Sequence, residues 1–520
     1  MITHPNFDLE PWCLRERRLD LDVLAETESI FALSNGHIGL RANLDEGEPH
    51  GLPGSYLNAF YEVRPLPYPE GGYGYPEAGQ TLVNVTDGKL IRLLVDDEPF
   101  DVRYGRLRKH ERTLEFRDGV LRREVEWETP TGRVVRVSST RLVSFTQRAV
   151  AAILYEVEPV DGGVDVVLQS ELVTNEPLPR PEDDPRVASA LDSRLQSEWY
   201  GHSGHRVMLV HATQQSGLRL AAGADHLVDG PAGTDVTTEN EPDLGRFLVT
   251  SRLGPGQRLR LVKFIAYGWS EQRTTPALRD QVEGALAAAV HSGWDGLAAD
   301  QRSYLDDFWR RADVELDGDD ELQHAVRFGL FHVLQSAARA ERRAIPAKGL
   351  TGSGYDGHTF WDTECFVLPL LTYTMPSAVR DALSWRHATL PLAQERARTL
   401  GLKGAAFPWR TIRGEECSGY WPAGTAAFHV NADIAVAVER YCAATLDEDF
   451  LTRFGLELLV ETARFWRSLG HDDGHGQFRI DGVTGPDEYS AIADNNVYTN
   501  LMAARNMRRA AEAVERVPER

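Results

Sequence analysis

The sequence predicts a multi-domain β + α protein with an N-terminal antiparallel β-sandwich, a helical linker and a helical C-terminal region. Two observations along the 520 residues support this order. Residues 81–267 alternate short β-rich runs with turn residues, and after Pro276 the apolar period becomes helical. We therefore expect the three regions at residues 1–270, 271–318 and 319–520.

The β-sandwich is predicted from the composition and spacing of its strands. Runs such as VLRREVEWETPTGRVVRVSSTRLVSF and RAVAAILYEVEPV are rich in β-branched residues. Asp-Gly, Thr-Gly and Asp-Gly-Gly turns separate these runs, which favours hairpins between neighbouring strands. Many short strands at such spacing are typical of an antiparallel sandwich.

The linker and the C-terminal region are predicted from helical periodicity. The stretch LRDQVEGALAAAVHSGWDGLAADQRSYLDDFWRRA indicates one or two linker helices. Long Gly- and aromatic-rich loops separate the later helices, which favours a helical scaffold that carries a site on one rim. The helical segments are expected at residues 321–343, 362–373, 377–400, 431–444, 450–469 and 496–516.

Composition excludes several classes of partner. The net charge of −22 argues against nucleic acid and anionic membrane surfaces, which need clustered positive charge. No run of 18 apolar residues occurs, so no membrane-spanning segment is predicted. The four cysteines are widely spaced and form no zinc pattern, and no metal site is predicted. A cytoplasmic protein is expected.

Four loops combine aromatic and acidic residues. They read GYDGHTFWDTE (354–364), KGAAFPWRTIRGEECSGYW (403–421), FHVNADI (428–434) and VTGPDEY (483–489). Sugar rings stack their C–H faces on aromatic rings and pair their hydroxyls with polar side chains, so this pattern indicates a carbohydrate cleft. The candidate site residues are Trp361, Asp362, Trp409, Arg410, Glu416, His429, Asn431, Asp487 and Glu488.

The acid pair Asp487-Glu488 has two interpretations. It follows Gly485-Pro486, so it is either a solvated turn ahead of a helix or a carboxyl group held at a cleft as a proton donor. Cleavage of a glycosidic bond requires such a donor, because the glycosidic oxygen leaves poorly until it is protonated. The second interpretation also requires a nucleophile on the opposite face of the sugar.

Together these residues resemble glycoside hydrolase family 65, which contains maltose, trehalose and kojibiose phosphorylases and acid trehalases. The resemblance rests on ESIFALSNGHIGLRAN (28–43), FWDTE, FPWRT with GEE, HVNADIA and VTGPDEY. It implies that residues 319–520 form the first part of an (α/α)6 barrel. It also implies that Glu488 is the general acid and that Trp361 and Asp362 hold the glucose whose bond breaks. Arg410, Glu416, His429 and Asn431 are expected in the cleft wall, and Asp487 is expected to orient Glu488 or to brace the turn.

The resemblance implies inverting cleavage of an α-linked glucose disaccharide of the trehalose, maltose or kojibiose type. In a phosphorylase, inorganic phosphate is the co-substrate and no other cofactor is needed. In an inverting hydrolase, a second carboxylate activates water instead. A third hypothesis is a non-catalytic fragment that binds carbohydrate.

The family's phosphate-binding Ser and His residues and a Lys-Gln pair lie in its final third. The chain is therefore expected to be C-terminally truncated relative to the family. Because those residues would decide between phosphorolysis and hydrolysis, the sequence leaves both reactions open. A homodimer is expected of the full-length form.

Overall fold

The computed structural model describes residues 6–66, 72, 74–176, 194–418, 423–487, 489 and 491–517. By their internal contacts, these residues form two compact units. The first unit takes its residues from Met1–Phe60, Val83–Arg339 and Gly349–Gly354, and the second from Tyr61–Leu82, Ala340–Lys348 and Tyr355–Arg520. The region boundaries at residues 270 and 318 stay predictions, because a compact unit is defined by contacts and not by changes of secondary structure.

A ten-stranded antiparallel sheet is the larger layer of the first unit. Burial alternates along some of its strands, as in Val120–Glu128 (VLRREVEWE), because one face of such a strand is packed and the other is more open. In hydrogen-bonding order the strands are β1 (Phe7–Glu10), β2 (Cys13–Glu16), β10 (Arg106–Glu115), β11 (Val120–Glu128), β12 (Val134–Val143), β13 (Val150–Pro159), β20 (Leu259–Ser270), β17 (Arg219–Asp229), β16 (Arg206–Ala212) and β15 (Gln196–Ser203).

A five-stranded sheet forms the second layer and completes the predicted sandwich. Leu172 on this sheet is buried against Val207, Leu209 and Ala224 of the ten-stranded sheet. Its strands are β18 (Asp235–Glu241), β19 (Leu244–Leu253), β14 (Val164–Val173), β8 (Ile91–Val95) and β9 (Glu98–Pro99). A small third sheet consists of β3 (Leu33–Ser34), β4 (Ile38–Leu40) and β5 (Ser55–Leu57).

Among its described residues, the first unit contains the α-helices α1 (Leu24–Ile30), α2 (Thr275–Ala312) and α3 (Asp320–Ala337). The predicted linker is α2, a 38-residue element that bends at Gly293, where φ is 66°. Its Leu278, Val282 and Leu286 are buried in one cluster with Phe264 of β20. Helix α3 ends before the predicted residue 343, because Glu341 and Arg342 have left-handed backbones.

The second unit is mainly helical. Its helices are α4 (Leu368–Thr374), α5 (Pro376–Ala388), α6 (Leu390–Thr399), α7 (Ala423–Ala426), α8 (Val430–Thr445), α9 (Glu448–Phe450), α10 (Leu456–Leu469) and α11 (Val497–Arg516). Where this unit is described, hairpins pair β6 (Tyr61–Pro65) with β7 (Ala78–Leu82) and β21 (His471–Asp472) with β22 (Phe478–Arg479). The buried rings of Phe465 and Trp466 on α10 pack with Phe428 and Ala503 in its core.

Two predicted helices of the second unit are interrupted. The segment predicted at 377–400 divides at Thr389, because Pro391 has no backbone N–H to continue the first helix. The segment predicted at 362–373 begins with a π-helical turn, Thr363–Val367, before α4. Within the described ranges, no helix is both long and apolar enough to cross a membrane.

Candidate active site

The FWDTE segment places Trp361 and Asp362 at the start of a helical run. Trp361 is half-buried and contacts the ring of His429 edge-on, with 4.9 Å between ring centroids. Asp362 is exposed and precedes the π-helical turn, but its side chain makes no capping hydrogen bond. Across the described part of the chain, no hydrogen bond or ion pair engages the Asp362 carboxylate. This carboxylate therefore remains available to a ligand.

Glu364, two residues later, has a different role. Its carboxylate is buried and accepts two hydrogen bonds from Arg386, at 2.7 Å from Nε and 3.0 Å from Nη2. A paired Arg fork satisfies both carboxylate oxygens and fixes their orientation. The Glu364–Arg386 pair thus anchors the helical run that follows Trp361 and Asp362.

Glu416 holds the loop that carries Trp409 and Arg410. One carboxylate oxygen, Oε2, accepts from the backbone N–H of Trp409 at 2.7 Å and pairs with Arg396 at 3.0 Å. The other, Oε1, accepts from the backbone N–H groups of Cys417 and Ser418 and from the Ser418 hydroxyl. Glu416 was predicted as a wall residue of the cleft. In the structure its carboxylate is buried and already engaged by the loop.

Trp409 and Arg410 point their side chains to different partners. The Trp409 ring is buried and lies 5.5 Å from the His429 ring and 6.2 Å from the Phe360 ring. The Arg410 guanidinium donates to His358 Nδ1 at 2.5 Å and to the Asp356 carboxylate at 2.7 Å. Trp409 therefore joins the aromatic cluster around His429, whereas Arg410 ties the 405–418 loop to the 355–358 turn.

The HVNAD segment supplies His429 and Asn431. His429 is fully buried and donates from Nδ1 to Asp433 Oδ2 at 2.7 Å. Tyr498 of α11 donates to the other oxygen of Asp433, also at 2.7 Å. Burial and the Asp433 carboxylate raise the pKa of the Tyr498 hydroxyl, which keeps it protonated as a donor. The three residues form a relay that fixes the ring of His429 against Trp361.

Asn431, predicted as a site residue beside His429, makes its side-chain hydrogen bonds to backbone groups of the protein. Its Oδ1 accepts from the backbone N–H of Phe407 at 2.8 Å, and its Nδ2 donates to the carbonyl of Phe428 at 2.9 Å. Both ends of the amide are thus occupied, and the residue is fully buried. Asn431 fastens the 405–418 loop to the start of α8.

Asp433 and Tyr498 were not predicted as site residues from the sequence. The four-residue spacing between His429 and Asp433 could have indicated the first contact, because residues i and i+4 lie on one helix face. Tyr498 is 65 residues from Asp433, and no local pattern in the sequence predicts their contact.

The VTGPDEY loop is closed at its base. Val483 and Ala493 exchange two backbone hydrogen bonds, at 3.0 and 2.8 Å, and Thr484 N–H donates to Ala426 O at 3.0 Å. Asp487 is exposed and its Oδ1 accepts from the backbone N–H of Tyr489 at 3.2 Å. Glu488, the predicted general acid, lies outside the described residues.

In the part of the second unit that the structure describes, aromatic rings thus occur together with the exposed, unengaged carboxylate of Asp362, the residue after Trp361. Apolar platforms with a few placed polar groups are the features that hold a sugar. The neighbouring acids Glu364, Glu416 and Asp433 all have partners within the unit.

Family models match both parts of the chain. The model described as the glycosyl hydrolase family 65 N-terminal domain matches residues 14–308, and that described as its central catalytic domain matches residues 327–520. The chain is 62% identical over its whole length to an uncharacterized glycosyl hydrolase of Mycobacterium tuberculosis. It is 39% identical, over 97% of its length, to an α,α-trehalose phosphorylase of Thermoanaerobacter brockii. It spans 66% of the length of each of these relatives.

A solved structure shares the fold. It is a putative kojibiose phosphorylase from the human microbiome, 24% identical, with a TM-score of 0.91 over 98% of this chain and 66% of the other. This likeness confirms the predicted fold class, a β-sandwich followed by a helical domain. The two matched domain models show that the chain belongs to glycosyl hydrolase family 65.

Proposed function

We propose that the protein cleaves an α-linked glucose disaccharide by inverting phosphorolysis, with α,α-trehalose as the first substrate to test. Trehalose is preferred over maltose and kojibiose because the trehalose phosphorylase of Thermoanaerobacter brockii is 39% identical to this chain. The observation that carries the proposal is Asp362, an exposed and unengaged carboxylate beside the half-buried ring of Trp361.

Trp361 and Asp362 have complementary parts in this proposal. The indole offers an apolar face to the C–H face of the glucose ring, and the carboxylate accepts hydrogen bonds from its hydroxyls. Hydrogen bonds to a charged group contribute about 1.5–3 kcal/mol each. The His429–Asp433–Tyr498 relay holds Trp361 in place through the contact between the His429 and Trp361 rings, and the Glu416 anchor holds Trp409.

In the proposed reaction Glu488 is the general acid. Its carboxyl proton passes to the glycosidic oxygen while the bond between that oxygen and glucose C1 breaks. An oxygen of inorganic phosphate forms the new bond to C1 from the opposite face. The products are β-glucose 1-phosphate and the released sugar. Because phosphate brings its own charge and nucleophilic oxygen, one catalytic carboxyl group is sufficient on the protein side.

Product analysis tests the proposal. The full-length protein is incubated with trehalose, maltose or kojibiose, with and without inorganic phosphate, and the products are followed by ³¹P and ¹H NMR. We expect β-glucose 1-phosphate to form only when phosphate is present. Release of glucose without phosphate would show a hydrolase instead. No cleavage of any of the three sugars would leave the non-catalytic hypothesis.

A further inference from the structure

Three buried arginines share one face of the ten-stranded sheet in the first unit. Arg112 on β10 is the direct cross-strand partner of Arg123 on β11. Ser139 on β12 is the partner of Arg123 on its other side, and Arg141 lies two residues further along β12, on the same face. All three arginines are at most 3% exposed. Like charges on neighbouring strands repel each other, so this arrangement requires negative charge close to the guanidinium groups.

Buried carboxylates supply part of that negative charge. Each guanidinium donates to one of them at 2.5–3.0 Å, and the pairs are Arg112 with Glu16, Arg123 with Glu46 and Arg141 with Asp45. Other nitrogens of these groups are buried without a hydrogen-bond partner among the described residues, namely Arg112 Nη2, Arg123 Nε, Arg123 Nη2 and Arg141 Nε. Of these, Arg112 Nη2 lies 3.0 Å from Glu16 Oε2 but lacks the alignment of a hydrogen bond. Leaving a buried charged donor without an acceptor is costly, so these nitrogens indicate a further acceptor.

The same three arginines line a small cavity, together with buried residues that include Asn43, Asp45 and Ser139. The centre of a water-sized sphere can occupy about 10 Å³ of this cavity. This is room for one water molecule or one monatomic ion, and a phosphate group is too large. Asp45 is the acidic residue of the wall, and Arg141 and the Ser139 hydroxyl donate to its two oxygens. Three guanidinium groups and one carboxylate leave the described wall with a net positive charge.

We propose that this cavity binds a chloride ion, held by the guanidinium groups of Arg112, Arg123 and Arg141. Among the described residues of the wall, four nitrogens lack an acceptor, whereas one oxygen, Asn43 Oδ1, lacks a donor. A single water molecule has only two lone pairs and would leave some of these nitrogens without a partner. A halide accepts hydrogen bonds from several donors at once, and bonds between charged groups are the stronger ones. The ion would thus join β10, β11 and β12 and stabilise the first unit.

Anion-dependent unfolding tests the chloride site. The protein is unfolded with urea in sodium chloride or in sodium gluconate of equal ionic strength, because gluconate is too large for the cavity. We expect the equilibrium constant of unfolding to fall with chloride and to level off as the site fills, with a roughly tenfold decrease at about ten times the dissociation constant. Arg123→Met removes two of the nitrogens that lack an acceptor, so the difference between the two salts should disappear in this variant.

Arg41→Met is the matched control. Arg41 is also buried in the first unit and pairs with Glu28, but each of its side-chain nitrogens has a hydrogen-bond partner. This variant should keep the chloride effect, although both substitutions lower the overall stability. No saturable chloride effect in the wild type, or an equal effect in the two variants, would overturn the chloride site.

Bromide gives a second measurement that needs no variant. Crystals of the wild-type protein soaked in sodium bromide should show an anomalous peak between the guanidinium groups of Arg112, Arg123 and Arg141. If Arg123→Met does not fold, this peak and the saturable chloride effect in the wild type together decide. A soaked crystal without the peak would overturn the proposal. A peak without the chloride effect in solution would be binding at crystal concentration only and would overturn it as well.

Discussion

Replacing Glu416 by glutamine tests whether this carboxylate positions the loop of Trp409 and Arg410. The side chain keeps its size, but an amide NH₂ replaces one oxygen and the negative charge is lost. If the NH₂ takes the place of Oε2, it faces the Trp409 N–H and the Arg396 guanidinium, which are both donors. If it takes the place of Oε1, it faces the backbone N–H groups of Cys417 and Ser418. Either orientation loses at least two hydrogen bonds.

The magnitude follows from these contacts. Hydrogen bonds to a charged group contribute about 1.5–3 kcal/mol each, so two lost bonds set an upper range of about 3–6 kcal/mol. Local relaxation recovers part of this, and we expect a loss of about 3 kcal/mol in the free energy of unfolding. Activity should also fall, because Trp409 packs against His429, which in turn orients Trp361.

Urea unfolding followed by tryptophan fluorescence measures the loss, and kcat/KM on trehalose measures the effect on activity. Glu415→Gln is the matched control, since Glu415 is only half-buried and its Oε2 accepts a single hydrogen bond from Gln80, which an amide oxygen can replace. If the free energies of unfolding of Glu416→Gln and Glu415→Gln differ by less than about 0.5 kcal/mol, the positioning role of the Glu416 carboxylate is refuted.

Three further predictions concern separate residues. Asp362→Ala should lower kcat/KM for trehalose about 10- to 150-fold without changing Tm. The control Asp472→Ala, also at an exposed residue, should change neither quantity. Equal effects of the two substitutions would contradict the ligand role of Asp362. Arg386→Met should lower the free energy of unfolding by about 3–5 kcal/mol, because it leaves the buried Glu364 carboxylate unpaired. Adding Glu364→Gln to this variant should recover part of the loss. A double-mutant cycle with no recovery would show that the unpaired carboxylate does not cause the loss. Burial lowers the pKa of Lys263 to about 7 from its ordinary 10.5, so above pH 7 the unfolded chain binds more protons than the folded one and stability rises with pH. Between pH 7 and 9, the free energy of unfolding measured in urea should therefore rise more for the wild type than for Lys263→Met. Equal changes with pH in the two proteins would contradict this prediction.

Local pattern in the sequence was enough to predict the order of elements. Alternating burial along β11 and the helical period of α2 depend on neighbouring residues, and both are present in the structure. The breaks inside helices were not predicted, although their cause is also local. Pro391 divides one predicted helix, and the left-handed residues Glu341 and Arg342 keep another from reaching the predicted residue 343.

The use of individual polar side chains could not be predicted in the same way. Asp362 and Glu416 look alike in the sequence, since both are acids within aromatic-rich loops. Only the fold shows that Glu416 is engaged by donors that include Arg396, 20 residues away, while Asp362 is exposed. Likewise, the hydrogen bond from Tyr498 to Asp433 depends on the approach of α8 and α11. Such contacts are set by tertiary packing and leave no pattern in a single sequence.

The most direct test of the proposed mechanism is Glu488→Gln, assayed with inorganic phosphate on two substrates. Trehalose needs a proton on its leaving oxygen, whereas α-glucosyl fluoride releases fluoride without one. If Glu488 is the general acid, kcat on trehalose should fall roughly 10²-fold or more, and kcat on α-glucosyl fluoride should be largely retained. The mechanism is contradicted if the variant keeps its activity on trehalose, or if it loses both activities to the same degree.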